Sequence, residues 1–171
     1  DSKTVREYYQ ILVDTLVAMR LEPFKKRQER QVITKASKYY LFDVGVAGYL
    51  TKRRLVEQKG EEFGKAFEHF ILMEINAYSS YSSKNFPINF WRTKTGLEVD
   101  FVLDSGKVAI EVKGGRRINN KDFNGLKAFS EVYSPKSRIL VCQEKETRLH
   151  DKIQVLPWEI FLSELWEGKV A

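Results

Sequence analysis

Two short runs carry the side chains best suited to chemistry, "LEVDFVL" at residues 97–103 and "KVAIEVK" at 107–113. In an extended strand alternate side chains share a face, so Glu98 and Asp100 are expected on one side and Val99 and Phe101 on the other. On the second run Val108, Ile110 and Val112 share a face, which leaves Ala109, Glu111 and Lys113 opposite. "DSGK" between them reads as a hairpin turn, and closing it brings Asp100 near Glu111 on the neighbouring strand. Adjacent carboxylates repel unless a cation lies between them, and oxygen ligands suit a hard divalent ion, Mg²⁺ or Mn²⁺. Lys113, two residues past Glu111 on the same side, can orient an attacking water or stabilise charge growing on phosphate oxygens. Glu68, at the border of an apolar helix face, can reach these strands. The same spacing of Glu111 and Lys113 also suits a surface ion pair worth under about 1 kcal/mol, and these residues alone leave that alternative open.

The elements that must position these side chains follow from periodicity. "EEFGKAFEHFILMEINAYSSY" is a strongly apolar helix over 61–81, followed by strand-like runs at "INFWRT", "LEVDFVL" and "KVAIEVK". "KDFNGLKAFSEVY" reads as a helix stopped before Pro135, and "SRILVCQ" as a buried strand. From Glu61 the order is therefore α-β-β-β-α-β. "IQVLPWEIFLSELWEG" adds a strand and a closing helix beginning near Pro157. Upstream, "SKTVREYYQILVDTLVAMRL" has the spacing of an amphipathic helix with Ser2 available as its N-cap. Pro23 and a basic run follow, then "KYYLF", which together suggest a short basic hairpin, and a small helix is entered at Asp43. The natural seam lies at residues 37–43, which divides the chain into 1–42 and an α/β unit at 43–171.

Bulk composition bounds the function. The chain has 171 residues, 43% hydrophobic and 30% charged, enough for one sizeable core. No apolar run approaches the ~18 residues or more of a membrane span, so no membrane partner is expected. A single cysteine, Cys142, excludes an internal disulfide, which suits a cytoplasmic compartment, and its place in an apolar strand suits a small core residue better than a nucleophile. His69 and His150 have no cysteine companions for structural zinc. Neither Gly-rich phosphate loop pattern occurs, so no nucleotide-binding residues are assigned. Net charge is +6, and the cations cluster: Lys25, Lys26, Arg27, Arg30, Lys35 and Lys38, then Lys52 to Arg54, then Lys113, Arg116 and Arg117. Together these make DNA a reasonable partner. Just ahead of the acidic strands, Trp91 suits core packing, and Arg92 suits either a phosphate contact or a pair with a neighbouring carboxylate.

At Glu68, Asp100 and Glu111-Val112-Lys113 the sequence resembles the PD-(D/E)XK nuclease superfamily. More closely, "KYYLFDVGVAGYL", "GKAFEHFILMEI", "FWRTKTGLEVDFVL" and "VAIEVKGG" resemble the C-terminal domain of unknown function of prokaryotic AAA+ family ATPases, over nearly the whole chain. The resemblance implies a restriction-endonuclease-like α/β core, preceded at 1–42 by a winged-helix remnant of helix and basic hairpin. It implies an N-terminal ATPase module in the same protein, consistent with a chain that starts at Asp1, and it is compatible with an oligomer. It assigns Glu68, Asp100, Glu111 and Lys113 as catalytic, with Asp100, Glu111 and the Val112 carbonyl holding Mg²⁺ or Mn²⁺. Lys25, Lys26, Arg27, Arg30, Arg92, Arg116 and Arg117 are the expected DNA contacts. Val99 departs from the motif, standing where the superfamily name has proline. The implied function is divalent-metal-dependent hydrolysis of DNA phosphodiesters, and the alternative is a non-catalytic DNA-binding or protein-interaction module of the ATPase.

Overall fold

The computed structural model describes residues 1–25, 36–52 and 57–171. Among these, eight strands form a single mixed sheet in the order β2-β1-β3-β4-β5-β6-β8-β7, with five helices around it. The chain runs α1 (Ser2–Asp14), β1 (Ala18–Pro23), β2 (Lys38–Leu41), α2 (Val44–Leu50), α3 (Gly60–Tyr81), β3 (Ile88–Arg92), β4 (Glu98–Leu103), β5 (Val108–Val112), α4 (Asn124–Tyr133), β6 (Ser137–Cys142), β7 (Arg148–His150), β8 (Ile153–Pro157) and α5 (Trp158–Trp166). The order α3-β3-β4-β5-α4-β6 is the one expected from periodicity.

Two apolar layers hold the sheet. On one face Phe67, Ile71, Leu72 and Ile75 of α3, with Phe161 and Leu165 of α5, pack on Phe90, Phe101, Ile110, Ile139 and Val141. On the other face Leu126, Phe129 and Tyr133 of α4 pack on Trp91, Val99, Val102, Ala109, Leu140 and Val155. The central strands β5 and β6 are parallel and covered on both sides, which explains why "VAIEV" and "ILVC" read as near-continuous apolar runs. Cys142 is buried and free, as its sequence context suggests.

The N-terminal segment differs from its expected form. Asp1, not Ser2, caps α1, its carboxylate accepting from the Lys3 backbone N–H. The helix also stops at Asp14, seven residues short of Leu21. Thr15 turns its hydroxyl back onto the Ile11 carbonyl at 2.7 Å, and Leu16 takes a left-handed φ of 61°. Helical spacing persists beyond this point, but residues 18–23 gain a ladder instead, pairing antiparallel with β2 and parallel with β3. The first strands thereby extend the same sheet that carries the acidic residues. Asp43 caps α2 through the Val46 N–H at 2.7 Å. Strand β7, a short edge strand, has no clear pattern in the sequence. Most of the basic hairpin, including Lys26, Arg27, Arg30 and Lys35, lies outside the described residues, as do Arg53 and Arg54.

Candidate functional site

The acidic strands meet where their ladder ends. β4 and β5 pair at Leu103↔Val108, Val102↔Ala109 and Phe101↔Ile110, and no pairing follows on the side toward Asp100 and Glu111. Into this opening the Asp100 carboxylate accepts a hydrogen bond from the Val112 backbone N–H at 2.8 Å. On its other edge β4 bulges: Asn89 pairs with Val102 but Trp91 pairs with Val99, so β4 carries one more residue than β3 between these pairs. The bulge corrects the simple alternation expected for this strand. Val99 packs in the α4 layer and Phe101 in the α3 layer, although two residues apart they were expected on one face.

Asp100 and Glu111 are 7% and 6% exposed. Burial, reinforced by Glu111 and Glu68, raises the Asp100 carboxyl well above the usual carboxylate range. Burial pushes Glu111 up to about 7, with Lys113 opposing and Glu98 and Glu68 adding to the rise. One Glu111 oxygen accepts from the Lys113 ammonium at 2.5 Å, and the other, Oε2, is buried with no hydrogen-bond partner. Lys113 itself would be lowered by burial, but Glu111 and Asp100 outweigh that and hold it above the ordinary lysine value.

Helix α3 delivers Glu68 through a close approach of two glycines. A Cβ built on Gly114, just past β5, would stand 3.0 Å from the Gly64 Cα, so helix and strand exit touch there. Glu68 lies one turn beyond Gly64 on the same helix face. Its carboxylate accepts from the Tyr40 hydroxyl at 2.5 Å and from the Lys38 ammonium at 3.3 Å. Lys38 also pairs with Glu98 at 2.5 Å. Burial works against its charge, but Glu68, Asp100 and Glu98 prevail and raise its pKa above the ordinary lysine value. The Tyr40 hydroxyl, buried beside Glu68, is pushed far above the phenol range.

All four residues expected at the centre, Glu68, Asp100, Glu111 and Lys113, are therefore neighbours by contact or charge. Sequence reasoning missed Lys38, Tyr40 and the role of Glu98. The alternation of Lys38 and Tyr40 in "KYYL" was a usable signal for a shared strand face, but it sits far upstream of the acidic strands. Of the expected DNA contacts, Arg92 is exposed and lies 3.7 Å from Glu98, the carboxylate pairing foreseen as its alternative. Lys25, Arg116 and Arg117 are exposed. Trp91 is core, edge-on to Phe129. His69 contacts the Leu41 carbonyl at 2.7 Å and His150 stacks on Phe123.

The donor set fits a hard divalent ion in part. Glu111 Oε2 is buried without a hydrogen-bond partner and the Asp100 carboxylate is buried beside it, and carboxylate oxygens are the donors such an ion takes, although Lys113 and Lys38 already bring positive charge to the centre. Among the described residues, however, no group of three or more His, Cys, Asp or Glu side chains is arranged to hold one. Among the same residues no helix is long and apolar enough to cross a membrane.

Fold and site together define a mixed α/β domain with a buried carboxylate-lysine centre where two antiparallel strands part. A family model described as a domain of unknown function, DUF4143, matches residues 63–161, and the chain belongs to that family, which is known in an AAA-ATPase context. A second domain of unknown function, DUF8612, matches residues 1–57. No curated protein and no solved structure matches the chain.

Proposed function

We propose that this chain is the PD-(D/E)XK-type, restriction-endonuclease-like domain of an AAA+ family ATPase and that it hydrolyses DNA phosphodiesters with a divalent metal. The observation that carries this reading is the pair Asp100 and Glu111, buried where the β4–β5 ladder ends, with a Glu111 oxygen lacking any partner and Lys113 beside it. Burying two carboxylates is costly without compensating charge, so this arrangement makes sense as a binding centre rather than as structural filler.

Asp100 and Glu111 would hold Mg²⁺ or Mn²⁺, which when bound polarises a phosphate oxygen and makes water a better nucleophile. The chain's own residues divide the remaining work. The Val112 N–H fixes one Asp100 oxygen at 2.8 Å and so holds the carboxylate in place at the end of the ladder. Lys113 places an ammonium against Glu111, where it can orient the attacking water and stabilise negative charge building on phosphorus-bound oxygens. Lys25, Arg116 and Arg117, exposed near or beyond the strand ends, supply cations for the phosphate backbone. The N-terminal ATPase module and a cytoplasmic setting belong to the same proposal.

The test is Mn²⁺ titration by calorimetry together with cleavage of single-stranded, duplex and branched DNA. Saturable Mn²⁺ binding and cleavage that both disappear in Asp100→Ala/Glu111→Ala, with cleavage alone lost in Lys113→Met, are the expected results. Mn²⁺ binding and cleavage unchanged in the double variant would refute the assignment. A second reading, a non-catalytic DNA-binding or protein-interaction module, draws on the finding that among the described residues no three acidic, His or Cys side chains are arranged to hold a metal, and on the two lysines already paired with the acidic groups. It predicts salt-sensitive DNA binding without metal and no cleavage.

A further inference from the structure

The proposed metal centre contains a cation of its own, contributed by a different part of the chain. Lys38 lies on β2, within the segment matched by the N-terminal family model, whereas Glu68, Glu98, Asp100, Glu111 and Lys113 all lie within the DUF4143 match. Its ammonium is within 3.3 Å of Glu68 and 2.5 Å of Glu98, and Asp100 is near enough to act on its charge. It stands 5.3 Å from the Phe90 ring centroid, an aromatic face that itself favours a cation. Tyr40, two residues on and on the same strand face, donates to the Glu68 oxygen that Lys38 also contacts. The acidic-lysine motif assigns no role to Lys38 or Tyr40.

Among the described residues β2 is an edge strand, paired through Lys38–Leu41 to β1, and each of its residues is only half-buried. An exposed edge strand gains little from burying a long lysine, and an ordered lysine side chain loses up to roughly 2 kcal/mol of rotamer freedom. The compensation visible here is electrostatic: four carboxylates surround two ammonium groups, one of them Lys38.

We propose that Lys38 is the resident counter-cation of the acidic centre, bound to Glu68 and Glu98 beside the carboxylates that would hold a divalent ion and opposing that ion by its charge, so that the N-terminal segment sets how tightly the DUF4143 domain holds its metal. The inference rests on the metal reading of Asp100 and Glu111. Lys38 acts here as a positioning and charge-balancing residue: it orders Glu68 and Glu98 when no metal is bound and weakens the centre's hold on one. A fixed unit charge in the same cluster as a divalent ion opposes its binding appreciably at the effective dielectric of a partly buried site.

The test is Mn²⁺ binding by calorimetry on the parent and on Lys38→Met, Lys38→Arg, Tyr40→Phe and Asp100→Ala/Glu111→Ala, each checked by thermal unfolding. Lys38→Met should bind Mn²⁺ tighter by about tenfold or more, since a full positive charge is removed beside a divalent ion. Lys38→Arg, which keeps the charge, and Tyr40→Phe, which removes a hydrogen bond but no charge, should stay within about twofold of the parent. Lys38→Gln replaces Lys38→Met if the latter does not fold. Equal affinities in parent and Lys38→Met, with binding lost in the double carboxylate variant, would overturn this inference and leave the metal reading intact. Tightening in Lys38→Arg as strong as in Lys38→Met would also overturn it, because packing rather than charge would then be responsible. No Mn²⁺ binding by any of the proteins would refute both.

Discussion

Glu111→Gln tests the physical core of the site without requiring any substrate. The Glu111 carboxyl is held at about 7 against an ordinary 4.5, chiefly because it is buried. Below about pH 4.5 it is protonated in both folded and unfolded chains and contributes nothing to the pH dependence. Between 4.5 and about 7 the unfolded chain releases a proton that the folded protein keeps, so stability falls as pH rises through this window. At about 1.4 kcal/mol per pH unit the cost by pH 8 is ~3 kcal/mol, of which Glu111→Gln, a standing mimic of the protonated acid, should recover most. The amide keeps an oxygen to accept from Lys113. The assay is urea unfolding in chelator at pH 4.5 and pH 8. The variant should match the parent at the lower pH and exceed it at the higher by ~2–3 kcal/mol, which for a chain of this size is a rise of roughly 5–10 °C in Tm. A variant no more stable than the parent at pH 8, or one with the parent's full loss of stability between the two pH values, would refute the reasoning. Saturating Mn²⁺ should narrow or reverse the gap at pH 8, because the parent alone can gain from an ion held by Glu111.

Other outcomes follow from the same geometry. The Mn²⁺ affinity of the parent should rise between pH 5 and pH 8, because protons held on Asp100 and Glu111 must leave before an ion is bound, and calorimetry in buffers of different ionisation enthalpy should register their release. Gly125→Ala should destabilise by ~3 kcal/mol or more, since its Cβ would stand 1.8 Å from the Glu98 carbonyl oxygen and force α4 off β4; thermal unfolding measures the loss. Phe129→Ala, fully buried among Phe24, Trp91 and Tyr133, should cost ~3–5 kcal/mol in urea unfolding without altering Mn²⁺ affinity in the fraction that stays folded. Arg116→Glu/Arg117→Glu should weaken DNA binding and flatten its salt dependence by about two phosphate contacts, measured by fluorescence anisotropy across a salt series.

How the site is built divides into what local sequence dictates and what only long-range pairing supplies. The strand-like character of "EVDFVL", the alternation across "AIEV", the "DSGK" turn, the Asp43 cap and the apolar spacing of α3 are local features. They were sufficient to place α3-β3-β4-β5-α4-β6 in order and to bring Asp100, Glu111 and Lys113 together. Local pattern failed where an element takes its conformation from a distant partner. Residues 18–21 continue helical spacing yet form β1, because β2 offers them a ladder, continued by β3 at Glu22 and Pro23, that a helix extended from Asp14 would not have. The bulge in β4 is equally invisible in one strand, since an extra residue exists only relative to the register of β3.

The amino-acid sequence by itself determined the α/β order, the acidic pair with its lysine, the absence of an internal disulfide and the net positive charge. Each depends on residue type or on spacing within a single element, and those are properties a chain has before it folds. The tertiary structure alone decided that Lys38 and Tyr40 reach Glu68 from thirty and twenty-eight positions upstream, that Glu98 joins them, and that a Glu111 oxygen is buried without a partner. Burial and charge proximity arise when strands distant in sequence are laid side by side, and they are what turn an ordinary glutamate into one that keeps its proton near neutrality.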